Sequence, residues 1–376
     1  MKSLADFVAD VPAARMTRRQ ALAALGIVGA GAALPLATYA ATRIQLGTVP
    51  VNAITAVYIG GAKPWSGLDM EIETMPFQGA PTAVQAIQSG SIPTADIGYA
   101  VVLSLASRGI PIVCLAGDSV VTRRSPHSRI MVAKDSPIRT VQDLRGKTVG
   151  VFALGTVDHF LLLAGLMVNK IDSKDVRIVP IPMPNQAQAL GTGQVDAIQA
   201  PAPGDTMAEV QVGARTLADA VDFLPYYPAA CLVAHAKWVD QNPDLAKRLV
   251  TGWIKANRWI DSNQAQARRV AGDVLKLTPE LADKMRIPHF VRNALHTMPG
   301  VWNLYYMMVA NGGIQAVSDP EGLMRRYFIE PAQKILLPAL RELGIEKDAE
   351  TQELAALKLP YLPKDPDAYF GPWEKV

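Results

Sequence analysis

The sequence has few residues that coordinate metals or form disulfide bonds. Its 376 residues include two cysteines and five histidines. Cys114 lies in the apolar segment PIVCLAG and Cys231 in AACLVAH, with His235 nearby. A disulfide-rich fold and a Cys/His metal centre are therefore excluded. We expect two buried free thiols, although an oxidising compartment would permit a bridge between them, and we predict no metal and no cofactor.

The chain also has little excess charge of either sign. Charged residues make up 19% of the sequence and the net charge is +3. No basic stretch contains interleaved aromatic residues, which excludes an extended nucleic-acid-binding face. With 49% hydrophobic residues, the chain is long enough to form two domains with separate cores. No segment beyond the N-terminal region is apolar enough to predict a membrane span.

Residues 1–40 have the pattern of an export signal. Arg18 and Arg19 precede a weakly apolar run, residues 23–36, and small residues at 38–40 offer a cleavage point. The pattern resembles a twin-arginine signal and predicts a periplasmic protein. Cleavage after Ala40 removes four basic and two acidic residues and lowers the net charge from +3 to +1. A retained membrane anchor is the alternative, although a span usually needs about 18 apolar residues.

From residue 43 onward, short apolar runs alternate with amphipathic stretches, which predicts an α/β protein. We predict strands at residues 43–49, 70–77, 95–100, 111–116, 129–134, 148–152, 176–181, 195–200 and 228–235. We predict helices at residues 54–61, 81–89, 101–107, 157–169, 185–190, 204–212, 243–263, 266–275, 279–284 and 320–343. A polar, proline-containing segment at 119–128 predicts a crossover between two lobes.

The segment GKTVGVFALGTVDHFLLL, residues 146–163, places small, polar and titratable residues between a strand and a helix. In open α/β sheets, ligands gather beyond the carboxyl ends of strands, where helix N-termini present free N–H groups. Gly155 permits a close backbone approach and Thr156 offers a hydroxyl, so we predict a ligand-binding loop for an anion or a polar solute. Helix capping alone also explains Thr156 and Asp158. Asp158 repels an anion, and a protonated His159 would offset that charge unless either side chain faces away.

Other candidate ligand residues follow the first two predicted strands. Val49 and Asn52 lie in TVPVN after the first strand. The segment FQGAP follows the second strand and contains Phe77, Gln78 and Gly79. We interpret Phe77 as an apolar wall, with a plain core position as an equal alternative, and Gln78 as a source of an amide.

Tyr99 ends the third predicted strand, where we expect an exposed ring tip to meet the ligand. None of the candidate loops contains Lys or Arg. Because a doubly charged ligand normally requires a cationic clamp, this absence favours a monoanion or a neutral polar solute.

Two segments of the sequence are similar to each other. QAIQSG, residues 85–90, leads to Asp96, and QALGTG, residues 188–193, leads to Asp196. Each combines a helix end, a glycine suited to a left-handed cap and a strand with an aspartate at its start. The repetition predicts two similar lobes, and a chance similarity of common turns is the alternative.

Three segments together resemble the periplasmic solute-binding proteins of ABC importers in the nitrate, sulfonate and taurine group. These are residues 77–112, residues 132–166 with DSPI and DLRGK, and PNQAQALGTGQVDAI. The resemblance implies a type II periplasmic-binding fold, in which two α/β lobes enclose a ligand cleft. It implies a discontinuous first lobe from residues 41–127 and 231–376 and a second lobe from residues 128–230.

The sequence departs from this group after residue 196, in DAIQAPAPGDTMAE. Relatives commonly have an aromatic and an acidic residue there, whereas this chain has Ala200-Pro201-Ala202-Pro203. We therefore expect Pro201 at the cleft and a ligand that differs from, or is larger than, that of the relatives.

The resemblance implies a monomeric, non-enzymatic protein that captures a small organic anion and delivers it to a membrane permease and ATPase. A binding protein for a neutral or amine-bearing heterocycle, such as a pyrimidine, is the alternative. An enzyme of the pyrimidine-synthase branch of the same fold is disfavoured, because its Cys/His-rich signature, a G-x-S-x-G elbow and an H-E-x-x-H motif are all missing. A sensor without a transporter stays open.

Overall fold

The computed structural model describes residues 41–49, 51, 53–123, 125–224 and 226–348. The predicted export signal and Asn52 lie outside these residues. The strands are β1 Thr42–Thr48, β2 Met70–Pro76, β3 Thr94–Gly98, β4 Ile112–Gly117, β5 Ser119–Val121, β6 Ser128–Val132, β7 Thr148–Val151, β8 Arg177–Pro180, β9 Ala197–Pro201, β10 Arg215–Asp219, β11 Tyr227–Pro228, β12 Ala230–His235 and β13 His289–Phe290.

The helices alternate with the strands up to β12 and predominate after it. They are α1 Ile59–Ala62, α2 Ala80–Gln88, α3 Tyr99–Ala106, α4 Val157–Val168, α5 Met183–Gly191, α6 Gly204–Val212, α7 Ala236–Gln241, α8 Pro243–Ser262, α9 Gln264–Val274, α10 Pro279–Lys284, α11 Met298–Ala310, α12 Pro320–Met324 and α13 Leu337–Glu342. Short 3₁₀ turns include Thr55–Tyr58, which runs directly into α1.

Two five-stranded sheets have the same order and the same strand directions. The first sheet runs β2-β1-β3-β12-β4, and the second, read from the corresponding edge, runs β8-β7-β9-β6-β10. In each sheet the first three strands are parallel and the last two pair antiparallel. We call the part of the chain built on each sheet the first and the second lobe. The predicted lobe boundaries stay a prediction.

The two similar sequence segments occupy equivalent places in the two sheets. Helix α2 precedes β3 and helix α5 precedes β9, and the glycines after them, Gly90 and Gly193, have φ of +77° and +74°. Glycine tolerates this left-handed conformation without a Cβ clash. Asp96 and Asp196 each accept a backbone N–H from a neighbouring segment, at 2.9 Å from Ala56 and 2.8 Å from Thr148. The predicted similarity of the lobes is confirmed.

Two connections pass between the lobes beside a small three-stranded sheet. One leaves β4 and enters β6, and the other leaves β10 and enters β12. Strand β5 in the first connection pairs antiparallel with β11 in the second, with Val121 opposite Tyr227, and β13 joins from the other side. This pairing brings residues from both connections to the space between the two large sheets.

The helical stretch predicted at residues 320–343 is confirmed, and it contains two π-helical segments in addition to α-helix. Two π-helical segments, Arg325–Ile329 and Ala332–Leu336, lie between helices α12 and α13. Pro331 follows the first segment and Pro338 follows the second. A proline lacks an N–H and crowds the carbonyl four residues earlier, and a widened turn relieves that crowding.

Both cysteines are buried in the first sheet, as expected. Cys114 lies on β4 and Cys231 on the adjacent β12, as free thiols with their Sγ atoms 3.0 Å apart. In the described part of the chain, no helix has the length and apolar character needed to cross a bilayer. No group of three His, Cys, Asp or Glu side chains among the described residues is placed to hold a metal ion.

Candidate ligand-binding site

A cavity of about 70 Å³ lies where equivalent loops of the two lobes meet. Val49, Val51, Ala53 and Ile54 follow β1 in the first lobe. Phe152, Thr156, Val157 and Asp158 follow the equivalent strand β7 in the second lobe. Gly98 ends β3 and Pro201 ends the equivalent β9, so each lobe contributes matching positions to the lining.

Most of the lining is apolar. Its remaining apolar members are Ala80, Val101, Ala229 and Ala230. The volume is roughly five times what one buried water needs. Ligand cavities combine such apolar walls with a few polar groups, which determine the orientation of the ligand.

Asp158 is the acidic residue of the cavity lining and lies in the first turn of α4. Its Oδ1 accepts a hydrogen bond from Ser128 Oγ at 2.6 Å, and Gln199 Nε2 donates to the same Ser128 Oγ at 2.6 Å. Burial raises the pKa of Asp158 to about 6, against the lowering effect of the Ser128 hydrogen bond. Asp158 is therefore largely ionised at neutral pH.

The crossover connections supply two more polar groups. His127 precedes β6, and Tyr227 lies on β11; both line the cavity and are 4% and 1% exposed. Burial lowers the pKa of His127 to about 4, so the imidazole is neutral at pH 7. The Tyr227 hydroxyl has no hydrogen-bond partner among the described residues. The sequence interpretation missed both residues, although a crossover position next to a cleft was a usable signal.

The loop before α4 has the predicted glycine and cap. Gly155 has φ of +75° and is exposed. Thr156 is the N-cap; its Oγ1 accepts weakly from His159 N at 3.4 Å and donates to Ala153 O at 2.8 Å. His159 Nδ1 accepts from Gly155 N at 3.1 Å, and burial lowers the pKa of its imidazole. Thr156 lines the cavity, whereas Gly155 and His159 are not part of the lining.

The expectation that Tyr99 presents an exposed ring tip is wrong. Tyr99 begins α3, and its ring is 1% exposed and stacked on Phe328. The hydroxyl shares a hydrogen bond of 2.7 Å with His296 Nδ1. The strand ends one residue earlier, so the ring points into the core formed with the C-terminal helices.

The FQGAP loop reaches the cavity through a different residue than expected. Ala80, at the start of α2, lines the cavity, whereas Phe77, Gln78 and Gly79 are not in the lining. Phe77 packs against the core, close to Gly47. Of the predicted ligand residues, the cavity brings together Val49, Thr156, Asp158 and Pro201, and their role in binding stays a prediction.

In the first lobe, the backbone N–H groups at the helix start next to the cavity are hydrogen-bonded to buried aspartates. Thr55 N donates to Asp118 Oδ2 at 3.0 Å, and Ala56 N donates to Asp96 Oδ2 at 2.9 Å. Burial raises the pKa of Asp118 to about 6, and burial together with the adjacent Asp118 charge raises the pKa of Asp96 well above its usual range. Trp253 Nε1 also donates to Asp118, at 2.8 Å. These N–H groups are already bonded and do not face a ligand.

Asp205 is a buried aspartate of the second lobe, where its neighbours are arginines. Asp205, in the first turn of α6, accepts from Arg129 Nε and from an Arg286 guanidinium, both at 2.8 Å. Burial raises the pKa of Asp205 to about 6, and the charge of Arg129 opposes that shift. Arg129 also contacts Glu209 at 3.1 Å. The guanidinium groups near the cavity are therefore paired with carboxylates outside the lining.

Comparisons with known proteins agree with this architecture. The model of the NMT1-like family matches residues 38–275. A protein of Brucella abortus strain 2308 that is named as a binding protein is 27% identical over 217 residues. The match covers 57% of this chain and 65% of that protein, so the chain spans slightly less than two thirds of the relative's length.

Solved structures show the same fold. The periplasmic aliphatic sulphonate binding protein SsuA of Escherichia coli aligns with a TM-score of 0.62 at 20% identity, covering 76% of this chain and 99% of that one. The periplasmic nitrate-binding protein NrtA of Synechocystis PCC 6803 aligns with a TM-score of 0.68 at 15% identity, covering 85% and 99%. The predicted α/β fold of periplasmic binding proteins is confirmed.

One structure of this fold is an enzyme. The desulfurization enzyme DSZB aligns with a TM-score of 0.57 at 19% identity, covering 80% of this chain and 99% of that one. The fold therefore accommodates both binding and catalysis, and the cavity side chains decide between them.

Proposed function

The chain belongs to the NMT1-like family, and from this membership and the geometry of the cavity we propose that it is a solute-binding protein. It captures a small organic solute outside the cytoplasmic membrane and delivers it to an ABC permease and its ATPase. The observation that supports this proposal best is the cavity itself, which equivalent loops of both lobes enclose.

Two lobes that each contribute half of a lining can open and close around a ligand. The β1 loop contributes Val49 to Ile54, and the β7 loop contributes Phe152 to Asp158. The two connections between the lobes pair over Val121 and Tyr227 at one side of the cavity, where a hinge would lie. Ligand binding favours the closed arrangement, because only that arrangement brings both halves of the lining to the ligand.

The export route and the assembly are part of the same proposal. Arg18 and Arg19 with the following apolar run support twin-arginine export to the periplasm. We propose a monomer, since one chain supplies the whole lining described above.

The proposed function is tested by isothermal titration and mass spectrometry. Ligands are first sought by thermal shift among sulfonates, nitrate, carboxylates, amides and amines, because a compound that binds the native state raises the melting temperature. The best compound should bind one per chain and be recovered unchanged after prolonged incubation. Appearance of a product would instead favour an enzyme.

A pair of glycine variants controls for the site. Gly98 lines the cavity, and a Cβ there would make ordinary contacts of 3.5 to 3.6 Å, so Gly98→Leu should fill the cavity and abolish binding. Gly60 lies in open space, and Gly60→Leu should leave the affinity unchanged. Full binding by Gly98→Leu would contradict the assignment of the site.

A further inference from the structure

The polar side chains that line the cavity include a carboxylate but no Lys or Arg among the described residues. Asp158, His127 and Tyr227 are the titratable side chains of the lining. The following inference rests on the proposed function and concerns the chemical class of the solute.

Asp158 acts as an acceptor toward the cavity. Gln199 Nε2 donates to Ser128 Oγ, so the Ser128 hydroxyl hydrogen is directed to Asp158 Oδ1, at 2.6 Å in both steps. The chain of donors ends at the carboxylate. Ser128 and the N–H of Asp158 itself are its donors among the described residues. A carboxylate has about four acceptor positions, so it retains capacity for a donor on the ligand.

Tyr227 lines the same cavity and has a polar group without a hydrogen bond to the described residues. Its ring is 1% exposed, and its hydroxyl has no partner among the described residues. A buried hydroxyl without a partner is costly, and a ligand that bonds it removes this cost. Tyr227 and Asp158 line the same cavity, so one ligand can contact both side chains. Burial raises the pKa of the Tyr227 hydroxyl, and the charge of Asp158 raises it further, so this hydroxyl stays protonated and able to donate.

An anion would find no cationic side chain in the described lining of this cavity. Arg129 and Arg286 are paired with Asp205, and the imidazole of His127 is neutral at pH 7. The N–H groups of Thr55 and Ala56 are bonded to Asp118 and Asp96. A negative ligand group would therefore lie against the Asp158 carboxylate without a cation, which is unfavourable at low dielectric.

We infer that the cavity takes a small, largely apolar solute that presents an N–H donor, as an amide, an amine or an amino-substituted ring, to the Asp158 carboxylate. Tyr227 supplies the second polar contact, and the aliphatic walls receive the carbon skeleton. Asp158 thereby selects against sulfonates, carboxylates and nitrate.

Matched compound series test this inference. Each carbon skeleton, for example methyl, ethyl or propyl to suit a cavity of about 70 Å³, is offered as primary amide, primary amine, carboxylate and sulfonate at pH 7.5. Amide or amine members should raise the melting temperature and bind at least about tenfold tighter than the acids of the same skeleton. Tighter binding of an acid, or of nitrate, would overturn the inference and leave the proposed function standing. Binding of none of the compounds would contradict both.

Two variants assign the contacts. Asp158→Asn keeps the shape and removes the charge, so affinity for the N–H compounds should fall about 10- to 100-fold while the acids bind relatively better. Tyr227→Phe should lower the affinity for the same compounds severalfold without lowering the melting temperature of the free protein. Unchanged affinity in both variants would overturn the assignment. Asp143→Asn is the control, since Asp143 also caps a helix start but lies outside the cavity lining.

Discussion

Asp158 and Asp205 occupy the same position in two helices of the second lobe and have different neighbours. Each is the second residue of its helix, α4 or α6. Asp205 is fully buried and bonded to two guanidinium groups at 2.8 Å. Asp158 is partly buried and accepts a hydrogen bond from the Ser128 hydroxyl. Burial raises the pKa of both carboxyl groups to about 6. Asp205 is satisfied by guanidinium groups within the protein, whereas Asp158 has acceptor positions left for the proposed ligand.

Removal of the Asp205 carboxylate should give the largest loss of unfolding free energy among the changes considered at these two aspartates. Asp205→Ala leaves Arg129 and Arg286 without their shared carboxylate, and loss of one partner of a buried pair costs about 3–5 kcal/mol. The free energy of unfolding from urea titration measures the loss. A cost below about 1 kcal/mol would contradict the view that Asp205 is a structural partner of these arginines.

Neutralising Asp158 should instead raise the free energy of unfolding at neutral pH. Burial raises its pKa to about 6, so the native protein binds this proton more tightly than the unfolded chain does. The contribution of Asp158 to stability therefore improves as pH falls from about 6 to about 4 and is least favourable above pH 6. Asp158→Asn should be more stable than the wild type at pH 7 by roughly 1–3 kcal/mol, and the difference should vanish near pH 4.

The quantity to measure is the difference in unfolding free energy between the wild type and Asp158→Asn at each pH, because other groups titrate in the same range. His127 and Tyr227 line the same cavity as Asp158, and the charge of Asp205 acts on Asp158. Burial lowers the pKa of His127 to about 4. Those groups are common to the wild type and the variant. A variant that is less stable than the wild type at pH 7 would show that the Ser128 hydrogen bond outweighs the burial of the charge.

The starts of α4 and α6 also differ in their caps, and removal of the one side-chain cap should change stability only slightly. Thr156 caps α4 through a long hydrogen bond of 3.4 Å, whereas Pro203 precedes α6 without a side-chain cap. Thr156→Ala should therefore cost about 0.5 kcal/mol, the lower end of cap losses. Chemical denaturation measures the stability and titration with the best compound measures the affinity. If affinity falls by more than tenfold, Thr156 contacts the ligand as well as the helix.

The sequence predicted the architecture well because periodicity and turn chemistry are local. Gly90 and Gly193 marked equivalent turns, and helices α6 and α10 have the predicted bounds. Strand β10 and helix α11 were missed. The buried face of α11 includes tyrosine and asparagine, which weakens its apolar pattern.

The site was predicted in part because its residues come from both regular and irregular positions. Thr156 and Asp158 follow a parallel strand, where general rules place ligands. Tyr227 belongs to a two-residue strand, which has no periodicity to read. Tyr99 was misplaced because the strand gives way to helix α3 at that residue, where its N–H bonds to Ala229 O at 3.2 Å.

The position of β12 has a consequence for the order of folding during synthesis. This strand lies between β3 and β4 in the first sheet, although the whole second sheet precedes it along the chain. Until residue 235 has left the ribosome, β3 and β4 have no partner at that edge and expose unpaired backbone groups. The second sheet needs no later segment, since its strands span residues 128 to 219. The second sheet can therefore assemble first, and the first sheet is completed only when β12 pairs with β3 and β4.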